Sequence, residues 1–306
     1  MQPTVLAPFT ARDGENLAIY EWPLDAWATE TSQRALPPRA VVLLVHGLGE
    51  HACRYEHVAG RLLDWGFAVR AYDQRGHGES GGARGVLPDE TALLDDLAEV
   101  IDDTRLRCRH LLDDEPASAV QVPVLPLVLL GHSLGGLVAS HFVALKIRPV
   151  EGLVMSSPAL DARLGVLQKL LLAVMPTLAP DLCVNNGLDA RYLSHEGEVV
   201  KRYLADRLVH RKISPRLARF IATAGPETIA AAAKWATPTL LMYAGADRLV
   251  NPAGSRAFAE KAASSPAVKA GTVTTRCFEE LYHELFNEVD AEPVFDALKA
   301  WLDARF

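Results

Sequence analysis

A layered α/β fold built on a mostly parallel sheet is what this sequence predicts, and three observations predict it. Short apolar, β-branched runs alternate with longer amphipathic stretches along most of the chain. These runs are almost continuously apolar, which is how strands read when helices cover both faces of their sheet. One of them, 124–130, passes directly into Gly131-His132-Ser133-Leu134-Gly135-Gly136 and then into small apolar residues suited to a helix start.

Taken in order, 4–10 and 17–22 read as an antiparallel hairpin at the sheet edge, with Asp13-Gly14 near its turn. The segment 31–39 contains two prolines and reads as a loop. Strands are expected at 41–45, 67–72, 124–130, 152–156, 239–243 and 272–278. Amphipathic helices are expected at 55–65, 90–112, 134–147, 254–263 and 292–302. The alternation stops between 159 and 236, which is helical in pattern, rich in charge and proline, and shows no convincing strand. Residues 1–158 and 237–306 therefore read as one core. Residues 159–236 read as a helical cap inserted over the carboxyl edge of the sheet, where such folds bind ligands. A plainer reading makes the insertion a helical decoration with no role.

Composition narrows the function. With 306 residues and 49% apolar content, the chain can bury one large core. A net charge of −7 opposes non-specific nucleic-acid binding, which needs a basic face. The four cysteines, Cys53, Cys108, Cys183 and Cys277, lie far apart with no metal-ligand or Cys-x-x-Cys spacing, so neither a metal nor a redox centre is expected. No disulfide framework is marked, the N-terminus lacks a basic start and an apolar stretch, and no window has the length of a membrane span. A cytoplasmic protein is expected, with peripheral membrane contact left open.

Ser133 carries the chemistry. A serine on a tight strand-to-helix turn projects its hydroxyl above the sheet, and glycines two residues before and after let backbone and helix approach closely. The helix N-terminus behind it favours developing negative charge. The alternative is a glycine-rich turn with an incidental serine. A nucleophilic serine needs a histidine to take its proton and a carboxylate to orient that histidine. In sheets with this turn, the acid and then the base follow the serine along the chain. Of the later histidines, His141 lies on the same helix and His195 and His210 lie in the insertion. His283 follows the last expected strand and is the candidate base. Asp247, in a glycine turn after the 239–243 strand, is the candidate acid, with Glu279 and Glu280 as runners-up. An oxyanion needs two backbone donors: Leu134, after the serine, and Leu48, in the loop His46-Gly47-Leu48-Gly49 after the 41–45 strand. His46 reads as a packing residue that shapes this loop.

Several motifs now combine. His-Gly-Leu-Gly-Glu-His-Ala-Cys-Arg-Tyr (46–55), Asp-Gln-Arg-Gly-His-Gly-Glu-Ser-Gly-Gly (73–82), Gly-His-Ser-Leu-Gly-Gly (131–136), Ser-Ser-Pro-Ala-Leu (156–160), Gly-Ala-Asp-Arg-Leu-Val (245–250) and Tyr-His-Glu-Leu-Phe-Asn-Glu (282–288) resemble the monoacylglycerol lipase / lysophospholipase group of α/β-hydrolases. The resemblance runs from about residue 15 to the C-terminus and is weakest across 159–236. It implies an α/β-hydrolase fold with Ser133, Asp247 and His283 as catalytic triad and Leu48 and Leu134 as oxyanion donors. It places Glu50, Arg54 and His132 near a glycerol head group and matches Tyr203 to a cap tyrosine. Glu50 and Arg54 read equally well as a salt bridge fixing the oxyanion loop. The expected activity is a serine esterase that releases fatty acid and glycerol from monoacylglycerols through an acyl-enzyme, without metal or organic cofactor. The alternative is a lysophospholipase or general carboxylesterase. A non-catalytic binding protein of the same fold is disfavoured because all three triad members are present. The apolar stretch 164–180 reads as an acyl-chain tunnel that also touches a membrane surface, or as ordinary packing against the core.

Overall fold

The computed structural model describes residues 3–22, 38–112, 125–162 and 166–306, with backbone alone for 110–112 and 166–171. The expected loop at 31–39 and the start of the expected strand at 124 thus fall largely outside the described residues.

Eight strands form the main sheet: β1 (Thr4–Val5), β4 (Ile19–Glu21), β6 (Ala68–Tyr72), β5 (Val41–Val45), β7 (Leu127–His132), β8 (Gly152–Ser156), β11 (Thr239–Ala244) and β12 (Val273–Phe278), in that spatial order. The pairings β1–β4 and β4–β6 are antiparallel and the others are parallel. The N-terminal hairpin is split: β1 pairs with β4 on the main sheet, while β2 (Phe9–Thr10) and β3 (Asn16–Leu17) form a separate two-stranded ladder. Gly14, at φ 88°, turns the chain between β2 and β3.

The central strands explain their own apolar sequences. In β5, Val41, Leu43 and Val45 enter one core, and Val42 and Leu44 enter the other. Leu127 and Leu129 in β7 face the first core, while Val128 and Leu130 face the second. Both faces are dry, so neither can carry polar residues. Helices α1 (Glu56–Asp64) and α8 (Glu292–Asp303) close one face with Val58, Leu62, Phe295 and Trp301. Helices α2 (Ala92–Leu112), α3 (Leu134–Ala144) and α7 (Pro252–Ala263) close the other. The expected helices are all present, with ends shifted by up to three residues.

Between β8 and β11 lie α4 (Val166–Leu178), β9 (Val184–Asn185), α5 (Gly197–Ala205), β10 (Lys212–Ile213) and α6 (Pro215–Ala231). The expectation of no strand in this stretch is corrected: β9 and β10 pair antiparallel. Two-residue strands show no periodicity, which is why the sequence hides them. Helix α6 starts on Ser214, whose hydroxyl accepts the Leu217 N–H, followed by Pro215. It sends Leu217, Phe220 and Ala224 into the same core as α3, so this helix is continuous with the main body.

The turn from β7 into α3 is pressed against the end of β5. A Cβ on Gly135 would lie 2.0 Å from the Val45 carbonyl oxygen and 2.5 Å from that of His46, both backbone atoms that cannot yield. Gly135→Ala is therefore expected to destabilise the protein by about 1–3 kcal/mol, read as a lowered urea midpoint. An unchanged midpoint would show that this approach is looser than described.

Candidate active site

Ser133 occupies φ 52° and ψ −116°, a conformation that non-glycine residues rarely adopt and that costs of order 1–3 kcal/mol. The surroundings impose it. The Ser133 N–H donates to the Ser156 carbonyl at 3.0 Å, and its own carbonyl accepts from Leu137 and Ala159, each at 3.0 Å. The carboxyl ends of β7 and β8 and the first turn of α3 thus fix the turn together.

Asp247 follows β11 and is buried. Its Oδ1 accepts the N–H groups of Leu249 (2.8 Å) and Val250 (3.0 Å), which fix its orientation. Its Oδ2 accepts from Nδ1 of His283 at 2.7 Å. Donation from Nδ1 leaves Nε2 of His283 as the basic nitrogen. Burial works against charge on both groups. Their mutual attraction prevails, lowering the Asp247 pKa and raising that of His283 above the ordinary imidazole value. The His283 ring lies 4.7 Å, centroid to centroid, from that of His132, the neighbour of Ser133. The acid–base bond is therefore made. Among the described residues no hydrogen bond joins Ser133 to His283, and triad geometry commonly tightens only when substrate is bound.

Two backbone donors lie close to Ser133, one next to it in the chain and one in the loop packed against it. Among the described residues, neither the Leu48 nor the Leu134 N–H donates to any acceptor. Leu134 opens α3, so its amide belongs to the helix's positive end. The Leu48 loop lies against the serine: a Cβ on Gly47 would sit 3.2 Å from Ser133 Cβ. Two residues whose role the sequence reading missed hold this loop. Gln74 donates its N–H to His46 Nε2 (2.9 Å) and its side-chain amide to the His46 carbonyl (2.6 Å). Asp73 accepts the Ala52 N–H at 2.7 Å and the Tyr20 hydroxyl at 2.8 Å. The motif at 73–82 contained the signal, but only the contacts give it meaning. His46 is buried, and burial lowers its pKa, so it stands as a neutral bracket.

Glu50, Arg54, His132 and Tyr203 meet at one side. The Glu50 carboxylate accepts from the Gly47 N–H (2.6 Å), the Tyr55 hydroxyl (2.7 Å) and Arg54. Arg54 also grips Glu284 with two bonds of 2.8 Å, and its guanidinium lies over the Tyr203 ring at 4.9 Å. Burial would raise the Glu50 pKa, but the positive charge of Arg54 overrides it and holds the carboxyl well below the usual range. His132 bonds Ser156 Oγ through Nδ1 at 3.2 Å, and burial followed by the nearby His283 lowers its pKa to about 4.

A cleft of about 690 Å³ lies beside Arg54 and Tyr203, lined by His51, His57 and Arg202 among others. A largely apolar cavity of about 870 Å³ lies between α6, α7 and the segment after β8, lined by Leu160, Ile221, Pro226, Ile229 and Ala257 among others. Residues 164 and 165 and the side chains of 166–171, the first part of the expected acyl tunnel at 164–180, lie outside the described residues. Among the described residues, no group of three or more His, Cys, Asp or Glu could hold a metal ion, and no helix is long and apolar enough to cross a membrane.

Known proteins resemble this chain over most of its length. The Hydrolase_4 family model, described as serine aminopeptidase S33, matches residues 36–290. The monoacylglycerol lipase of Mycolicibacterium smegmatis is 36% identical over 91% of this chain and 91% of its own length. Phospholipase YtpA of Bacillus subtilis is 32% identical over 87% of this chain and 96% of its own. The crystal structure of Paleococcus ferrophilus monoacylglycerol lipase superposes with a TM-score of 0.74 at 32% identity, covering 88% of this chain and 96% of that one.

The His283–Asp247 pair makes a measurable claim. The imidazole of His283, followed by NMR, is expected to titrate above about 6.5, the ordinary value. Asp247→Asn removes the attraction and should move the midpoint downward. The sign for stability follows. The raised His283 pKa stabilises the fold fully below the unfolded value, and this contribution is lost as pH rises through the folded value. An unmoved midpoint in Asp247→Asn would contradict the assignment.

Proposed function

This chain belongs to the Hydrolase_4 family of serine hydrolases, and from that premise we propose that it hydrolyses monoacylglycerols to fatty acid and glycerol with Ser133 as nucleophile. One observation supports the reading: the Asp247–His283 bond lies near a strained serine flanked by two backbone amides that have no acceptor among the described residues. Nε2 of His283 takes the Ser133 proton as Oγ bonds to the ester carbonyl carbon. The carbonyl oxygen becomes an oxyanion held by the Leu48 and Leu134 N–H groups. Collapse breaks the bond to the alkoxy oxygen, which receives the proton from His283 and departs as glycerol. Water, deprotonated by the same imidazole, then attacks the acyl-enzyme, and the fatty acid leaves as Ser133 regains its proton. Asp247 holds the imidazole tautomer and stabilises the imidazolium.

Three of the five Arg54 donors are engaged by two carboxylates, and the Glu50 oxygens by Gly47, Tyr55 and Arg54. This favours the salt-bridge reading of the pair, as a pin for the oxyanion loop. His132 and Tyr203 then supply the polar wall beside the leaving alcohol. The acyl chain is assigned to the apolar cavity between α6 and α7, whose lining includes Leu160, next to the Ala159 amide that bonds the Ser133 carbonyl. Val174, Leu178, Leu182 and Val184 are exposed on α4 and the segment after it, an apolar patch suited to resting on a lipid surface.

Ser133→Ala is expected to lose at least about 10⁴-fold in kcat on p-nitrophenyl butyrate and on monocaprylin, measured by product release. Retained activity would remove the proposal. A panel of monoacylglycerol, lysophosphatidylcholine and short aryl esters separates the alternatives, with the highest kcat/KM expected for monoacylglycerol. A lysophospholipid preferred tenfold would establish the phospholipase reading instead. Replacing Leu178 and Leu182 by Asp should cut turnover of vesicle-borne monoolein several-fold and leave monomeric p-nitrophenyl butyrate untouched. Equal effects on both would speak against surface docking.

A further inference from the structure

The segment 282–288 holds more than the base. Glu284, directly after His283, has a side chain only 5% exposed. It grips Arg54 through both carboxylate oxygens, and Asn287 Nδ2 adds a third bond at 2.8 Å. Arg54 in turn bonds Glu50, and Glu50 accepts the N–H of Gly47, the residue before the proposed oxyanion donor Leu48. A continuous run of charge-assisted bonds therefore starts one residue from the proton acceptor and ends one residue from the oxyanion donor. Its members come from the loop after β12 and the loop after β5, segments more than 200 positions apart in sequence.

We infer that Glu284 is a positioning residue that, through Arg54 and Glu50, sets the oxyanion loop at the correct distance from the His283 loop. The inference rests on the serine-esterase reading above and adds to it a residue that touches no substrate. Three features favour positioning over substrate binding. The guanidinium is already bidentate to one carboxylate and bonded to a second, which commits three of its five N–H donors and holds its plane in one orientation. Both carboxylates are buried, where an unpaired charge is costly, so the bonds persist through the reaction. The bond to Gly47 fixes backbone, and a donor misplaced by about 1 Å costs on the order of 10²-fold in rate.

The test uses the full chain with Glu284→Gln, Glu284→Asp, Arg54→Lys and the double variant Arg54→Lys/Glu284→Asp. Each is assayed on p-nitrophenyl butyrate and monocaprylin at a pH on the activity plateau, with Tm recorded alongside. Glu284→Gln is expected to lower kcat by about 10- to 100-fold on both esters with KM changed less than about threefold. Glu284→Asp keeps the charge and should fall between it and the parent. The double variant should be no worse than its more impaired single parent, because both act through one bond. If Glu284→Gln does not fold, the Arg54→Lys and Glu284→Asp pair carries the decision by the same non-additivity. An unchanged kcat, or multiplicative single effects, overturns the inference. So does a rise in KM confined to monocaprylin, which would make Arg54 a contact for the alcohol. A parent chain inactive on both esters overturns the esterase reading together with the inference. An active parent with an indifferent Glu284→Gln overturns the inference alone.

Discussion

The closeness of the β7–α3 turn to the end of β5 is the constraint from which the rest follows. Gly135 lies with its Cα against the carbonyls of Val45 and His46, and Gly47 lies against Ser133. That packing puts a helix N-terminus, a strained serine and the loop holding Leu48 in one place. Parallel strands make it possible, because β5, β7, β8 and β11 all end at the same edge. Each loop leaving that edge adds one part: Leu48 after β5, Ser133 after β7, Asp247 after β11 and His283 after β12.

Such parts are useful only if the loops keep their distances. The main chain alone does not ensure this, since ordering a loop residue costs as much entropy as ordering any other while loops gain few ladder bonds. Here the restraint comes from buried polar groups. Gln74 and Asp73 fasten the β5 loop to the β6 loop. Glu50, Arg54 and Glu284 fasten it to the loop after β12. Arg75 lies between Asp96 and Asp13 and anchors the 73–82 loop to α2. The Arg54 and Arg75 clusters are ion-paired, and the buried Asp73 carboxylate is met by neutral donors from Tyr20, Ala52 and Glu79.

The insertion takes part in the same scheme. Glu284 donates its N–H to the Leu193 carbonyl at 2.8 Å, and the buried Glu288 carboxylate accepts the N–H groups of His195 (3.0 Å) and Tyr282 (2.6 Å). The His195 ring stacks on Tyr282 at 3.7 Å. His210 and Ser214 donate to the carbonyls of Gly49 and Gly85. The segments around 193, 210 and 214 are thus stitched to loops at the carboxyl edge of the sheet, while α4 and the strand after it present the exposed leucines and valines. A framework part and a surface part share one insertion, a division that its amphipathic pattern does not reveal.

The sequence by itself determined the strand–helix alternation, the order of the chemical residues and the turn that carries Ser133. These are local matters: apolar runs, glycine spacing and chain order are written in adjacent residues. It also narrowed the histidines to His283, because only that one follows a strand at the working edge. It left Glu50 and Arg54 balanced between two roles and gave no role to Glu284, Glu288, Asp73 or Gln74. It also missed the β9–β10 ladder. Each of these depends on a partner far away in the chain: Arg54 is 230 positions from Glu284, and Gln74 is 28 from His46. A hydrogen bond is specific in distance and angle but leaves no periodic trace along the chain, so only the folded structure could decide which polar groups hold the site together.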